Sequence, residues 1–170
     1  MRAPWNACWT AEDRYEIRNC RWAGGKPAVW SPHYPGVGKP IFAKPHMVRQ
    51  RRSIAEMRCT VCGERTGAGC FDRWWFGLGD TTVPRFAFTT TEAPVHHDCA
   101  RSALRQCPHL RALGVVAAPM PPADVTLSAI VGGWATDRDF GLNLHGRKVV
   151  GHLKLAWRRM PDLPREARES

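Results

Sequence analysis

Apolar and polar positions alternate most regularly in the last third of the chain. Val125–Val131 and Lys148–Trp157 are β-type runs with a Gly132-Gly133 turn after the first, and alternation at period two is the signature of a strand with one buried face. With Phe140–Leu144 they predict a small antiparallel sheet. Upstream, Phe71–Leu78 and Val83–Thr90 are aromatic and β-branched runs joined by Gly79-Asp80 and predict a β-hairpin. Ala100–Gln106 predicts a short helix that stops at Cys107-Pro108, because the residue before proline is pushed out of the helical region. Ala117–Pro122 (Ala-Ala-Pro-Met-Pro-Pro) predicts a linker, and the charged segment Pro161–Ser170 a frayed tail.

The N-terminal third has a different texture. Thr10–Asn19 predicts a short helix with Thr10 as N-cap and Asp13 at its third position. Residues 23–47 are dominated by Gly and Pro, and only Ala28–Trp30 and Ile41–Phe42 have the composition to dock on a core. The resulting segmentation is a basic, aromatic arm over residues 1–57, a module over 58–116, a β element over 123–160 packed on that module, and the tail from 161 to 170.

Composition sets outer bounds. The chain has 170 residues, of which 44% are hydrophobic and 24% charged, close to an ordinary folded domain. No apolar run approaches the roughly 18 residues of a membrane span. The opening Met1-Arg2-Ala3-Pro4-Trp5 has no apolar leader-type stretch, so a cytoplasmic location without membrane attachment is expected. The net charge of +10 speaks to partners rather than to fold. Arg outnumbers Lys 20 to 5. Guanidinium suits bidentate phosphate or carboxylate contact, and a GC-rich genome has the same effect on composition. Residues 1–58 carry 11 basic against 4 acidic side chains, most densely at Arg49-Gln50-Arg51-Arg52, near Lys44 and Arg58. These residues, with Trp74 from the Arg73-Trp74-Trp75 cluster, are the candidates for contact with nucleic acid or another partner. On this reading Arg51 and Arg52 are dispensable for stability.

Cysteine carries the most specific chemistry. The count of seven is odd, and with no leader sequence it argues for metal ligation over a disulfide framework. Cys59-x2-Cys62-Gly63 has the form of a metal-binding knuckle, and after 33 residues His96-x2-Cys99 opens the predicted helix. Four N or S donors in two such pairs match a closed tetrahedral zinc site with no position for water, and a helix N-terminus favours the thiolate charge. His96 is preferred over His97 because it keeps the x2 spacing. Cys107 and His109 are alternative ligands, but they lie about two turns beyond Cys99. Cys8, Cys20 and Cys70 have no paired spacing and read as core or free thiols.

Knuckle, hairpin and ligand-bearing helix in that order resemble a treble-clef zinc finger. The expected fold class is therefore α+β, a small treble-clef-like zinc module with an extended N-terminal arm and a C-terminal antiparallel β element. Over residues 49–110, the pattern Arg-Gln-Arg-Arg, Cys-x2-Cys-Gly, a variable hairpin, Pro-x-His-x2-Cys-Ala and Cys-Pro-x-Leu is similar to a group of small zinc proteins of high-GC actinobacteria and their phages. In that group Cys often stands where this chain has His96. The resemblance implies one structural zinc and a bacterial or phage origin, and it brings no activity with it.

Three function classes are open on sequence alone. The favoured one is a non-enzymatic, zinc-stabilised nucleic-acid-binding protein. The second is a phage-type protein that binds and modulates a host or defence complex. The third is an HNH-like nuclease, suggested by His96-His97-Asp98, although Arg101–Leu110 supplies only His109 of the further metal ligands such an enzyme uses. No small-molecule substrate and no catalytic residue is indicated.

Overall fold

The computed structural model describes residues 3–68, 72–78, 88–120 and 122–157 and is a mixed α+β chain. The first third of the chain contributes strands β1 (Ala7–Trp9), β2 (Glu16–Asn19), β3 (Pro27–Trp30) and β4 (Pro40–Pro45), followed by helix α1 (Met47–Ala55). The expected extended arm is thus folded. Its Gly and Pro residues sit in turns between short strands that pair, β1 with β4 and β2 with β3, both antiparallel. The predicted helix over Thr10–Asn19 is also corrected: Thr10–Glu12 makes one 3-10 turn and Glu16–Asn19 is strand β2. That turn buries Glu12 completely, and the burial decides the geometry against helix propensity.

The remaining elements are β5 (Trp74–Leu78), β6 (Phe88–Thr90), α2 (His97–Gln106), α3 (Pro108–Ala112), β7 (Val115–Pro119), β8 (Asp124–Val131), α4 (Trp134–Phe140) and β9 (Lys148–Trp157). Strand β9 organises them. Along one edge it pairs antiparallel with β8. Along the other it meets β3 in parallel at Val150 and β6 in antiparallel register at Leu155–Trp157. Its inward residues Val149, Leu153, Leu155 and Trp157 are all buried. Gly151 keeps this face open, because a β-carbon there would lie 2.2 Å from Ile130 of β8.

Between its contacts with β3 and β6, β9 exposes backbone groups that no strand satisfies. Helix α1 satisfies them with side chains. The Gln50 amide donates to the Leu153 carbonyl (2.8 Å) and accepts from the Leu153 N–H (3.1 Å), pairing with β9 as a strand would. The same Nε2 donates to the Thr91 carbonyl. Arg51, fully buried, donates to the Gly151 and Val29 carbonyls at 2.5 and 2.6 Å and to the Cys20 sulfur at 3.4 Å. Buried backbone groups left unpaired are costly, so these two side chains close the sheet where its strands do not.

Arg49 points to the other side of α1, into the β1–β4 layer. Its guanidinium makes a bidentate pair with Glu12 (2.8 and 2.6 Å) and donates to the Ala7 carbonyl. The Glu12 oxygens also accept from the backbone N–H groups of Trp9 and Tyr34. Burial pushes the Glu12 carboxyl up, but the Arg49 hydrogen bonds and charge outweigh it, and its pKa is held below the usual range. His46 caps α1 through Nδ1, which accepts from the Arg49 N–H, while Nε2–H donates to the Pro32 carbonyl. Burial and the Arg49 charge lower its pKa to about 4, so the ring is neutral in this role. Arg49 and Arg51 are therefore not a partner surface. They are interior cross-links, which corrects both the contact assignment and the expectation that Arg51 is dispensable.

Strands β5 and β7 form a separate antiparallel pair. The predicted hairpin is not formed: β5 pairs with β7, β6 with β9, and residues 79–87 of the proposed turn lie outside the described residues. The expected linker at Ala117–Pro122 likewise runs into β7, where Val116 and Ala117 pair with Gly77 and Phe76. Phe140–Leu144 is the end of α4 and the turn after it, not a strand. The strand predictions at Val125–Val131 and Lys148–Trp157 agree with β8 and β9, and the tail from 161 to 170 lies outside the described residues. The β5–β7 pair separates two cores. Trp75 and Ala118 face a cluster with Ile54, Met120, Leu153, Leu155 and Trp157, whereas Trp74, Phe76 and Ala117 pack on Cys59, Val95 and Ala100.

Two substitutions test these cross-links by urea denaturation. Arg51→Met removes the donor from two buried carbonyls and is expected to cost about 2–4 kcal/mol, from a penalty of about 1–3 kcal/mol for each unsatisfied group. Glu12→Gln leaves the Arg49 charge buried without its counter-ion and is expected to cost about 3–5 kcal/mol. Because the folded-state pKa of Glu12 is lowered, its contribution is complete above the ordinary glutamate range and is lost as pH falls through the depressed value. The stability difference between wild type and Glu12→Gln should shrink in acid. A variant as stable as wild type at neutral pH would contradict the cross-link it removes.

Candidate metal centre

The route into the site begins at the end of α1. Met57 adopts a left-handed conformation (φ 49), with its N–H bonded to the Ile54 carbonyl and the Arg58 N–H bonded to the Ser53 carbonyl. This two-bond C-terminal cap turns the chain sharply and sends Arg58 and Cys59 into the knuckle. There Arg58 and Arg65 face each other as an antiparallel bridge, Cys59 N–H donates to the Glu64 carbonyl, and Gly63 N–H donates to the Cys59 carbonyl. Gly63 has φ 84, and a β-carbon on it would lie 2.6 Å from the Trp5 ring, so both backbone and packing require glycine. The Trp5 and Asn6 N–H groups donate to the Val61 and Thr60 carbonyls and tie the N-terminal segment to the knuckle.

The second pair arrives from β5. Trp74 and Val95 exchange backbone hydrogen bonds at 2.8 Å in each direction, which sets where α2 starts. His96 is the N-cap residue of α2 and Cys99 lies in its first turn. The Sγ atoms of Cys59, Cys62 and Cys99 and a ring nitrogen of His96 all lie within 4.8 Å of one another. A tetrahedral site with Zn–S near 2.3 Å has sulfur–sulfur edges of about 3.8 Å, so this cluster can close on one metal ion with little movement. The imidazole is already oriented. Nε2 lies 3.1 Å from the Arg65 carbonyl and, as a donor to it, leaves Nδ1 facing Cys62 Sγ at 3.3 Å. A carbonyl fixing the far nitrogen of a ligating histidine is the usual way a protein selects its tautomer.

In the absence of a cation the thiols resist ionisation. Burial, and then the neighbouring Cys59 and Cys62, push Cys99 up to about 12, and burial also raises Cys62. A bound divalent cation reverses that balance, because thiolates are its ligands. Cys59 is buried whereas Cys62 is exposed, so the site opens to solvent on the knuckle side. The described cysteines are all free thiols, and Cys107 stands apart from the cluster. His97, the competing histidine, is exposed and stacks on Trp74 with ring centroids 4.4 Å apart.

A second cluster of potential ligands, Glu12, His33 and His46, also meets within 4.8 Å. Its centre is taken by the Arg49 guanidinium, which donates to both Glu12 and His33 Nδ1. A cation already fills it, so it does not present a metal site.

The remaining candidate contact residues are paired. Lys44 Nζ is 2.6 Å from Asp13. Arg58 donates to Glu56 and to the Gly63 carbonyl, and Arg52 donates to Glu56. Trp74 is half-buried under His97. Sequence reasoning passed over the acids that organise these cations, Glu12 and Glu56. Glu56 was legible as the i+4 partner of Arg52 on α1. Glu12 had no local signal, because its partner lies 37 residues away. Among the described residues no helix is long and apolar enough to cross a membrane. Comparison of the chain with protein-family models, with curated proteins and with solved structures finds no match in any of the three.

The ligand assignment predicts about one metal ion per chain by elemental analysis. Cys99→Ser should lose the metal and lower the thermal midpoint by about 10 °C or more, the effect of roughly 3–5 kcal/mol in a chain of this size. Cys107→Ser should change neither quantity. Metal retained at full occupancy in Cys99→Ser would remove Cys99 from the site.

Proposed function

We propose that this chain is a non-enzymatic binding protein stabilised by one structural zinc ion, and that its partner is nucleic acid. The observation that carries the zinc reading is the donor set, three thiols and one oriented imidazole. Soft sulfur ligands select zinc over hard cations, and four protein ligands leave no position for an activated water. The site is treble-clef-like in one respect: a knuckle supplies one pair of ligands and a helix N-terminus the other. The hairpin between them is replaced by strands in two different sheets.

The nucleic-acid reading rests on the net charge of +10, which attracts polyanions at long range. With Arg49 and Arg51 buried, that attraction is delivered by cations elsewhere on the surface. A nuclease is less favoured. His97 is stacked on Trp74, and Asp98 is almost wholly exposed, in the first helical turn beside it.

Fluorescence anisotropy with labelled DNA and RNA oligonucleotides across a salt series tests the partner. The zinc-loaded protein should bind with an affinity that falls steeply as salt rises, because each phosphate contact releases condensed counterions. Absence of binding at low salt would overturn the nucleic-acid reading. The metal reading would stand, and a host protein complex of bacterial or phage setting would become the partner to seek.

A further inference from the structure

Glu56, at the C-terminal end of α1, is the single carboxylate at the centre of four guanidinium groups. Arg58 and Arg52 donate to it directly at 2.6 and 3.2 Å. Arg21 and Arg65 stand further off, at 3.8 and 3.9 Å. The Trp22 indole N–H also donates to Glu56 at 2.8 Å, and the Trp22 ring carries Arg21 at 4.3 Å and Arg52 at 5.7 Å from its centroid. With the indole hydrogen bond first and the arginines after it, the Glu56 carboxyl is held down at about 2, so it is ionised at any physiological pH. One negative charge against four positive charges leaves this patch strongly cationic.

The four arginines are not equivalent. Arg52 and Arg58 spend their donors on Glu56 and, for Arg58, on the Gly63 carbonyl. Arg21 and Arg65 are 73% and 70% exposed, and their distances to Glu56 are too long for a hydrogen bond. Their planar forks are free to accept a second anion, and the stacking of Arg21 on Trp22 limits the entropy lost when it does. The patch is also tied to the metal centre. Arg58 is bonded to the knuckle glycine, and the carbonyl of Arg65 accepts from the ligand His96.

We propose that Arg21, Arg52, Arg58 and Arg65, gathered around Glu56, form a phosphodiester-binding site, with Arg21 and Arg65 making the direct contacts. This rests on the nucleic-acid reading above and gives it a location. Nucleic acid is favoured over an acidic protein by the Arg–indole stack, a flat cationic surface suited to a backbone flanked by bases. A second such pair, Arg18 over Trp30 at 3.8 Å, lies on the β2–β3 hairpin whose turn carries Trp22.

The test compares two double variants with equal loss of charge in the zinc-loaded protein, Arg21→Ala/Arg65→Ala and Arg18→Ala/Arg138→Ala, with single-stranded and duplex oligonucleotides. All four residues are exposed, so thermal midpoints should stay close to wild type. The first variant is expected to bind about tenfold or more weakly and to lose about two units from the slope of log affinity against log salt. The second should lose about threefold or less. Equal losses in both variants would overturn the site and leave the nucleic-acid reading standing. Poly-glutamate displacing the oligonucleotide as well as unlabelled nucleic acid of equal charge would assign the patch to an acidic protein and overturn the proposal. No binding by wild type would overturn site and reading together.

Discussion

A ten-residue strand paired along only part of one edge must find other partners for its backbone, and here helix α1 provides them. Gln50 and Arg51 occupy the gap on β9 between β3 and β6, and this arrangement joins the first third of the chain to the last. Arg49, on the same helix, clamps Glu12 and with it the β1–β4 layer. Three consecutive polar side chains thus serve as interior bonds. Burying them without partners would cost several kcal/mol each, so the fold depends on their being satisfied together.

The metal centre is assembled from what that framework positions. Helix α1 ends in the cap at Met57 and delivers the knuckle, while the Trp74–Val95 exchange delivers the start of α2. The β5–β7 pair stands between the metal module and the main core, with Trp74 on one side and Trp75 on the other. A metal ion would therefore fasten two pieces already held in place by backbone hydrogen bonds. The carbonyl of Arg65 adds direction by fixing the His96 ring.

Charge is distributed with the same economy. The densest basic stretch in the sequence faces inward or pairs with acids, and the unspent cations gather where one carboxylate serves four arginines. Net charge alone does not reveal this, since it counts Arg49 and Arg51 as surface charge when they are buried.

What the sequence by itself determined is local. The Cys59-x2-Cys62-Gly63 knuckle, His96-x2-Cys99 at a helix start, and the strands of Val125–Val131 and Lys148–Trp157 are each governed by spacing and periodicity within a few residues. Tertiary structure decided everything that depends on distant partners. The runs around Trp74 and Phe88 have the propensity of a hairpin, yet each is captured by a strand far along the chain. Arg49 and Arg51 look like surface charge in sequence because nothing nearby announces Glu12, Val29 or Gly151. A charged side chain is buried only when its counter-ion or carbonyls are brought to it, and long-range packing alone brings them here.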